Sequence, residues 1–273
     1  MPHLPESARL WLERAEIDYI GPFVKAWAAF NAWYREASGA SRDAEGLRYA
    51  KERPNPIRGS IKPVLQPART DARGNVIPDD EWAHKFKLLI RDLHVCLDSF
   101  HIEVTREEVV ERISFRAVCL GRGPNLPQSH EYNRLRYRVD RANRRWKSTI
   151  CSIANPADVR ADIEQDVFDV DDLQGHQHYA GLSPNQRATL LALYRRCNPR
   201  PFTDLFVGDG DRIIVGEIEI RCSDEQLFAA LIEVLYGMRN ALLHGELQPQ
   251  EQAFAAYEPA YRILMRFLGC LQW

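Results

Sequence analysis

Two four-residue signatures mark helix starts in the last third of the chain. Ser183-Pro184-Asn185-Gln186 and Ser223-Asp224-Glu225-Gln226 each place a serine three residues before a glutamine. At that spacing side chain and backbone cap one another at a helix start. In the first signature Pro184 takes the first helical position, where a missing N–H costs nothing. The residues that follow keep helical spacing. Leu190, Leu191 and Tyr194 run to a stop at Asn198-Pro199, and Leu227, Phe228, Leu231, Ile232, Leu235 and Met238 mark a second helix. A final helix spans about 249–271, with Phe254, Tyr257, Tyr261, Leu264 and Leu268 on one side and a kink expected at Pro259.

The N-terminal end reads the same way. A helix is expected from about Ser7, a candidate N-cap, through Leu10, Trp11, Ile17 and Ile20 to a break at Gly21-Pro22. A second helix carries Phe23, Trp27, Phe30 and Tyr34 at helical spacing and ends at Ser38-Gly39. From about 40 to 80 the pattern dissolves into turn chemistry: Arg53-Pro54-Asn55-Pro56, Pro63, Pro67, Arg73-Gly74-Asn75 and Pro78. A third helix is expected from Asp80 to Phe100. A fourth is expected from Thr105, opened by the Thr105-x-x-Glu108 capping box and closed by Gly121. Gly121 to Ser129 reads as a loop. Near the end, Gly208-Asp209-Gly210-Asp211 followed by Ile213, Val215, Ile218 and Ile220 is the best β-hairpin signal in the chain. The expected fold is therefore mainly α: an antiparallel helical bundle built from 1–39 and 183–273. A long, partly helical insertion over 40–182 and one small hairpin would complete it.

Composition narrows the class. The chain has 273 residues, 45% of them hydrophobic and 27% charged, enough to bury a core without disulfide or metal staples. Thirty-six basic residues against 38 acidic ones leave a net charge of -2, so bulk charge argues neither for nor against nucleic acid. No apolar run approaches the ~20 residues that span a bilayer. Met1-Pro2-His3-Leu4-Pro5-Glu6 lacks the basic and apolar regions of an export signal. A soluble cytoplasmic protein with no membrane partner is expected, its six cysteines reduced.

The common site signatures are missing from the sequence. There is no C-x-x-C pair, EF-hand loop, P-loop, dinucleotide fingerprint or G-x-S-x-G elbow. His176-Gln177-His178 reads as solvated, and His94 and His101, about two turns apart, are too distant to share an ion. No metal or cofactor is expected. Charge is unevenly spread, however. Arg134 to Lys147 holds seven basic residues against Asp140 alone, and Asp158 to Asp172 holds seven acids against Arg160 alone. The two stretches can neutralise each other on the surface. Alternatively Arg134, Arg138, Arg141, Arg144 and Arg145, with Tyr132, Tyr137 and Trp146 beside them, can hold an RNA backbone and stack its bases.

One segment carries reactive chemistry. In Arg239-Asn240-Ala241-Leu242-Leu243-His244-Gly245-Glu246, a histidine follows an arginine by five positions. Arg239 continues the apolar face of Phe228, Ile232 and Leu235, where a charge is costly unless it has a partner or a task. Gly245 ends the helix beside His244. These residues resemble the HEPN superfamily, helical domains marked by an Arg and a His four to six residues apart, often with Asn directly after the Arg. The aromatic helix Trp27-Ala28-Ala29-Phe30-Asn31-Ala32-Trp33-Tyr34 adds to the resemblance, which covers 1–39 and about 183–273 and leaves 40–182 unmatched. It implies a homodimer and a metal-independent ribonuclease of a prokaryotic toxin–antitoxin or phage-defence system, with an antitoxin or another defence protein as a partner. Other members of that superfamily are inactive binding or regulatory modules.

The chemistry suits the residues. RNA carries its own nucleophile, the 2′-OH, so neither metal nor enzyme nucleophile is required. A histidine titrating near neutrality moves the proton, and an arginine binds the phosphate through two donors. His244, Arg239 and Asn240 are the expected catalytic residues, with Asn31 and Tyr34 as support. Asn31 could tether Arg239 or His244, or bond a neighbouring backbone. Five residues at 100° each put Arg239 and His244 about 140° apart on a helix. They meet on one phosphate only if the helix ends early or a second protomer contributes.

Overall fold

The structure is a computed structural model and describes residues 18–67, 73, 77–106, 109–247 and 250–271. In chain order the elements are α1 (Ile20–Ser38), α2 (Asp43–Glu52), α3 (Pro56–Ile61) with a 3₁₀ turn (Lys62–Leu65), and α4 (Glu81–Ser99). Strands β1 (Glu103–Arg106), β2 (Val109–Arg112), β3 (Val118–Cys119), β4 (Gln128–Tyr132), β5 (Leu135–Ala142), β6 (Arg145–Ser152) and β7 (Val159–Gln165) follow. Then come α5 (Val170–Gly175), α6 (Gln177–Ala180), α7 (Pro184–Arg196), β8 (Phe202–Thr203), β9 (Arg212–Val215) and β10 (Ile218–Arg221). The chain finishes with α8 (Asp224–Leu243), α9 (Glu251–Ala255) and α10 (Tyr257–Gly269).

The expectation of a mainly α bundle is overturned. Of the described residues about 49% are helix and 20% strand, and the strands form four antiparallel sheets. They pair as β1–β2, β3–β8, β9–β10 and the meander β4-β5-β6-β7. The chain divides into two compact units, one of residues 1–103, 112–118 and 204–273, the other of 104–111 and 119–203.

The first unit is helical. α10 packs along α1 and α4, and α2 packs against α1 and α8. Phe23, Phe30, Tyr34, Phe86, Phe228, Tyr257 and Phe267 fill its interior. Gly39 ends α1 in the left-handed conformation at φ 64°, as the sequence indicated. Asp80 caps α4 by accepting from Ala83 N–H at 2.7 Å, and both serine–glutamine capping boxes form, at α7 and α8. The expected helix from Ser7 lies largely outside the described residues, and α1 starts at Ile20, so Gly21 and Pro22 sit inside its first turn. The final helix is two pieces that meet at Ala256, and Pro259 is the third residue of α10, where its missing N–H is harmless. Part of the 40–80 region is helical too. Asn55-Pro56, read as a turn, is an N-cap and first helical residue: the Asn55 side chain accepts from Arg58 N–H at 2.9 Å.

The second unit is built on the meander. Its strands cross-pair Gln128–Tyr132 with Leu135–Val139, Leu135–Ala142 with Arg145–Ser152, and Trp146–Cys151 with Val159–Gln165. Alternation places Tyr137, Val139, Trp146, Ile150, Ala161 and Ile163 on one face. α7 covers β4 and β5, and α6 covers β7. The Trp146, Phe168 and Tyr194 rings pack together there, with Phe168 and Tyr194 stacked at 4.3 Å. The fourth expected helix, from Thr105, is absent; its place is taken by β1, β2 and β3. Val104, Thr105, Val109, Val110 and Ile113 are β-branched and favour extended backbone over the helix that one capping signature suggests.

Candidate active site at the end of helix α8

The helical unit positions the Arg–Asn–His segment. α8 buries Leu227, Phe228, Leu231, Ile232, Leu235 and Met238, and the buried Tyr257 hydroxyl donates to Met238 O at 3.0 Å. Its last turn holds Arg239 and Asn240. Asn240 is only 5% exposed, and its Oδ1 accepts from Arg239 Nη1 at 2.8 Å. The Arg239 Nε is buried without a hydrogen-bond partner among the described residues. His244 is the C-cap and is exposed, its N–H donating to Asn240 O at 2.9 Å. Gly245 turns the chain at φ 71°, after which the N–H groups of Glu246 and Leu247 both reach Ala241 O, at 2.9 and 3.0 Å.

The helix does not end early. An i to i−4 bond still holds His244 on the helical path, so within one chain it stays about 140° around the axis from Arg239. The arrangement is one half-buried, amide-tethered cation and one exposed imidazole on different sides of a helix end.

Asn31 and Tyr34 are brought together, with an acid the sequence did not point to. Asn31 Nδ2 donates to the Tyr34 hydroxyl and, at 3.1 Å, to Asp43 Oδ1. Asn31 thus joins α1 to α2, and among the described residues it bonds neither Arg239 nor His244. Burial and the nearby Asp43 carboxylate raise the Tyr34 pKa, so the phenol stays protonated. Gly46 of α2 makes room for this ring: a Cβ there would stand 2.3 Å from Tyr34 Cδ2. Tyr236 stacks on Trp27 with centroids 5.9 Å apart and lies within electrostatic reach of Tyr34. Tyr236 precedes Arg239 by three and Asn240 by four, so helical spacing alone places it on their face. Asp43 and Gly46 carry no comparable signal.

Of the five arginines of the basic stretch, two lie in turns, two hold ion pairs and one lies over a ring. Arg134 and Arg144 are the second residues of two-residue turns, Asn133-Arg134 and Asn143-Arg144, all four at positive φ. Arg138 pairs with Asp140 at 2.6 Å, and Arg145 with Asp166 and Glu164 at 2.8 and 3.1 Å. Lys147 pairs with Asp162 and Glu164 at 3.0 and 3.2 Å. The acidic and basic stretches thus neutralise each other across β6 and β7. Arg141 lies over the Trp146 ring at 5.8 Å. Tyr137 and Trp146 are each 1% exposed and face the core, which leaves Tyr132 as the stretch's open ring.

Elsewhere in the helical unit, His94 is buried against Phe206 and Phe115, at 4.5 and 6.2 Å. Burial lowers its pKa, the mark of a packed neutral imidazole. Among the described residues no helix is long and apolar enough to cross a membrane, and no cluster of three or more His, Cys, Asp or Glu could hold a metal ion. Comparison with models of protein families, with curated proteins and with solved structures finds no match to this chain.

Proposed function

We propose that the protein is a metal-independent endoribonuclease of HEPN type, working as a homodimer in the cytoplasm within a toxin–antitoxin or phage-defence system. The observation that carries this reading is the end of α8. An exposed imidazole caps a helix whose preceding turn holds an arginine locked to a buried asparagine. Polar groups of this kind are costly on an otherwise apolar helix.

In the proposed reaction the 2′-oxygen attacks the adjacent phosphorus and the bond from phosphorus to the 5′-oxygen breaks. His244 moves the proton between these oxygens. Arg239 holds the two non-bridging oxygens and stabilises their charge, oriented by its bond to Asn240. The products are a 2′,3′-cyclic phosphate and a 5′-hydroxyl. Because Arg239 and His244 diverge around α8, the arginine of one protomer works with the histidine of the other.

The test is incubation with mixed RNA in EDTA, followed by analysis of fragment ends. Cyclic phosphate ends are expected. His244→Ala should lower the rate ~10²–10⁴-fold without loss of fold, since the side chain is exposed. Arg239→Lys keeps the charge, loses the planar fork and should stay nearly inactive. If His244→Ala cuts at the parent rate, the segment is not catalytic. The divergence of the two side chains within one chain then favours the second reading, an inactive module that binds RNA or protein.

A further inference from the structure

The sheet unit holds a groove that the α8 site does not use. Antiparallel register puts His130 and Tyr132 of β4 opposite Tyr137 and Leu135, so both point to the face covered by α7. β4 is an edge strand, and α7 covers this edge incompletely: His130 and Tyr132 remain exposed, Tyr132 by 45%. Opposite them, α7 presents Ala188, Thr189, Ala192, Leu193 and Arg196. These fall at i, i+1, i+4, i+5 and i+8, one stripe of a helix. The space between encloses about 370 Å³, at the small end of the ~300–1,000 Å³ that hold small ligands.

The chemistry of the lining is specific. One wall carries a phenol ring and an imidazole, and the other carries small side chains that leave space for a flat group. Arg196 stands at the end of the stripe with no ion-pair partner among the described residues. This sets it apart from Arg136, Arg138, Arg145 and Lys147 on the opposite face of the sheet, each of which holds an acid. A slot with an aromatic wall and a free cation at one end fits a ligand with a planar ring and an anionic group.

We propose that this groove binds one nucleotide of single-stranded RNA, its base against Tyr132 and His130 and its phosphate on Arg196. The proposal rests on the ribonuclease reading for its choice of ligand. Base–aromatic stacking tolerates any base, and the arginine contributes a salt-dependent contact to the backbone. An extended peptide added to the β4 edge would be held by backbone hydrogen bonds and would not need the ring or the cation.

The experiment is an equilibrium titration of a fluorescein-labelled uridine octamer with the full-length protein. His244→Ala is kept in the background so that cleavage does not consume the probe. Tyr132→Ala should weaken binding about tenfold, and Tyr132→Phe should restore it. Arg196→Ala should weaken binding and reduce the slope of log affinity against log salt by about 0.7. An abasic octamer should bind the parent no better than the natural octamer binds Tyr132→Ala. Unchanged affinity in Tyr132→Ala and Arg196→Ala, or equal binding of the abasic octamer, overturns the groove while leaving cleavage at α8 untouched. A parent protein that yields no cyclic phosphate ends but loses binding in these variants overturns the nuclease and leaves the groove standing.

Discussion

The helical unit and the sheet unit spell out their structures in different ways. In the helical unit the boundaries are written in single residues. Asp80 starts α4, Ser223 and Gln226 start α8, and Gly39 and Gly245 turn the chain at left-handed φ. In the sheet unit the information lies in alternation. Leu135, Tyr137 and Val139 face inward while Arg136, Arg138 and Asp140 face outward, and Trp146, Ser148 and Ile150 repeat the pattern. Arg136, Arg145 and Lys147 pair across strands with Glu131 and the acids of β7, and Arg138 pairs with Asp140 along its own strand. Charge density that resembles a nucleic-acid patch in the sequence is here the solvent face of an antiparallel sheet.

The helical unit can be tested where packing and propensity oppose each other. Gly46→Ala raises the helix propensity of α2 by ~1 kcal/mol, yet its Cβ would collide with the Tyr34 ring. A net loss of about 1–3 kcal/mol is expected from denaturant unfolding. Stabilisation would mean that Tyr34 has room and that the Asn31–Tyr34–Asp43 cluster is not held as described.

A smaller effect of opposite sign is expected in the sheet unit. Arg144 sits at φ 65°, a conformation costing a non-glycine residue roughly 1–2 kcal/mol. Arg144→Gly should therefore stabilise the protein by about 1 kcal/mol, since Asn-Gly is the preferred pair for such a turn. Unchanged or reduced stability in urea would show that Arg144 contributes contacts beyond the turn. That result would return it to the candidate RNA contacts.

These contrasts explain what was legible. The α8 segment is legible as a candidate because an arginine on an apolar helix face and a histidine beside a helix-ending glycine stand out. Tyr236 was within reach through the same spacing. Asp43 was hidden because its partners, Asn31 and Tyr34, lie on another helix. The meander is hard to read because its two tight turns, β4 to β5 and β5 to β6, are Asn-Arg. The first residue tolerates positive φ, but the second is normally glycine, so Asn133-Arg134 and Asn143-Arg144 read as part of a basic run. The hairpin at β9 and β10 was found, and there Gly216 at φ 62° supplies the turn. Helix α3 is hidden behind prolines that read as breakers, although Pro56 opens it behind the Asn55 cap.

On the proposed reading the α8 segment becomes a site only when two copies meet. Mixing an inactive Arg239→Ala protein with an inactive His244→Ala protein tests it directly. In a mixed dimer one of the two composite sites holds both an intact Arg239 and an intact His244. After random exchange of protomers, cleavage to 2′,3′-cyclic ends should return to about a quarter of the parent rate. A mixture that stays as inactive as its two components, while light scattering shows that dimers form and exchange, would contradict the account.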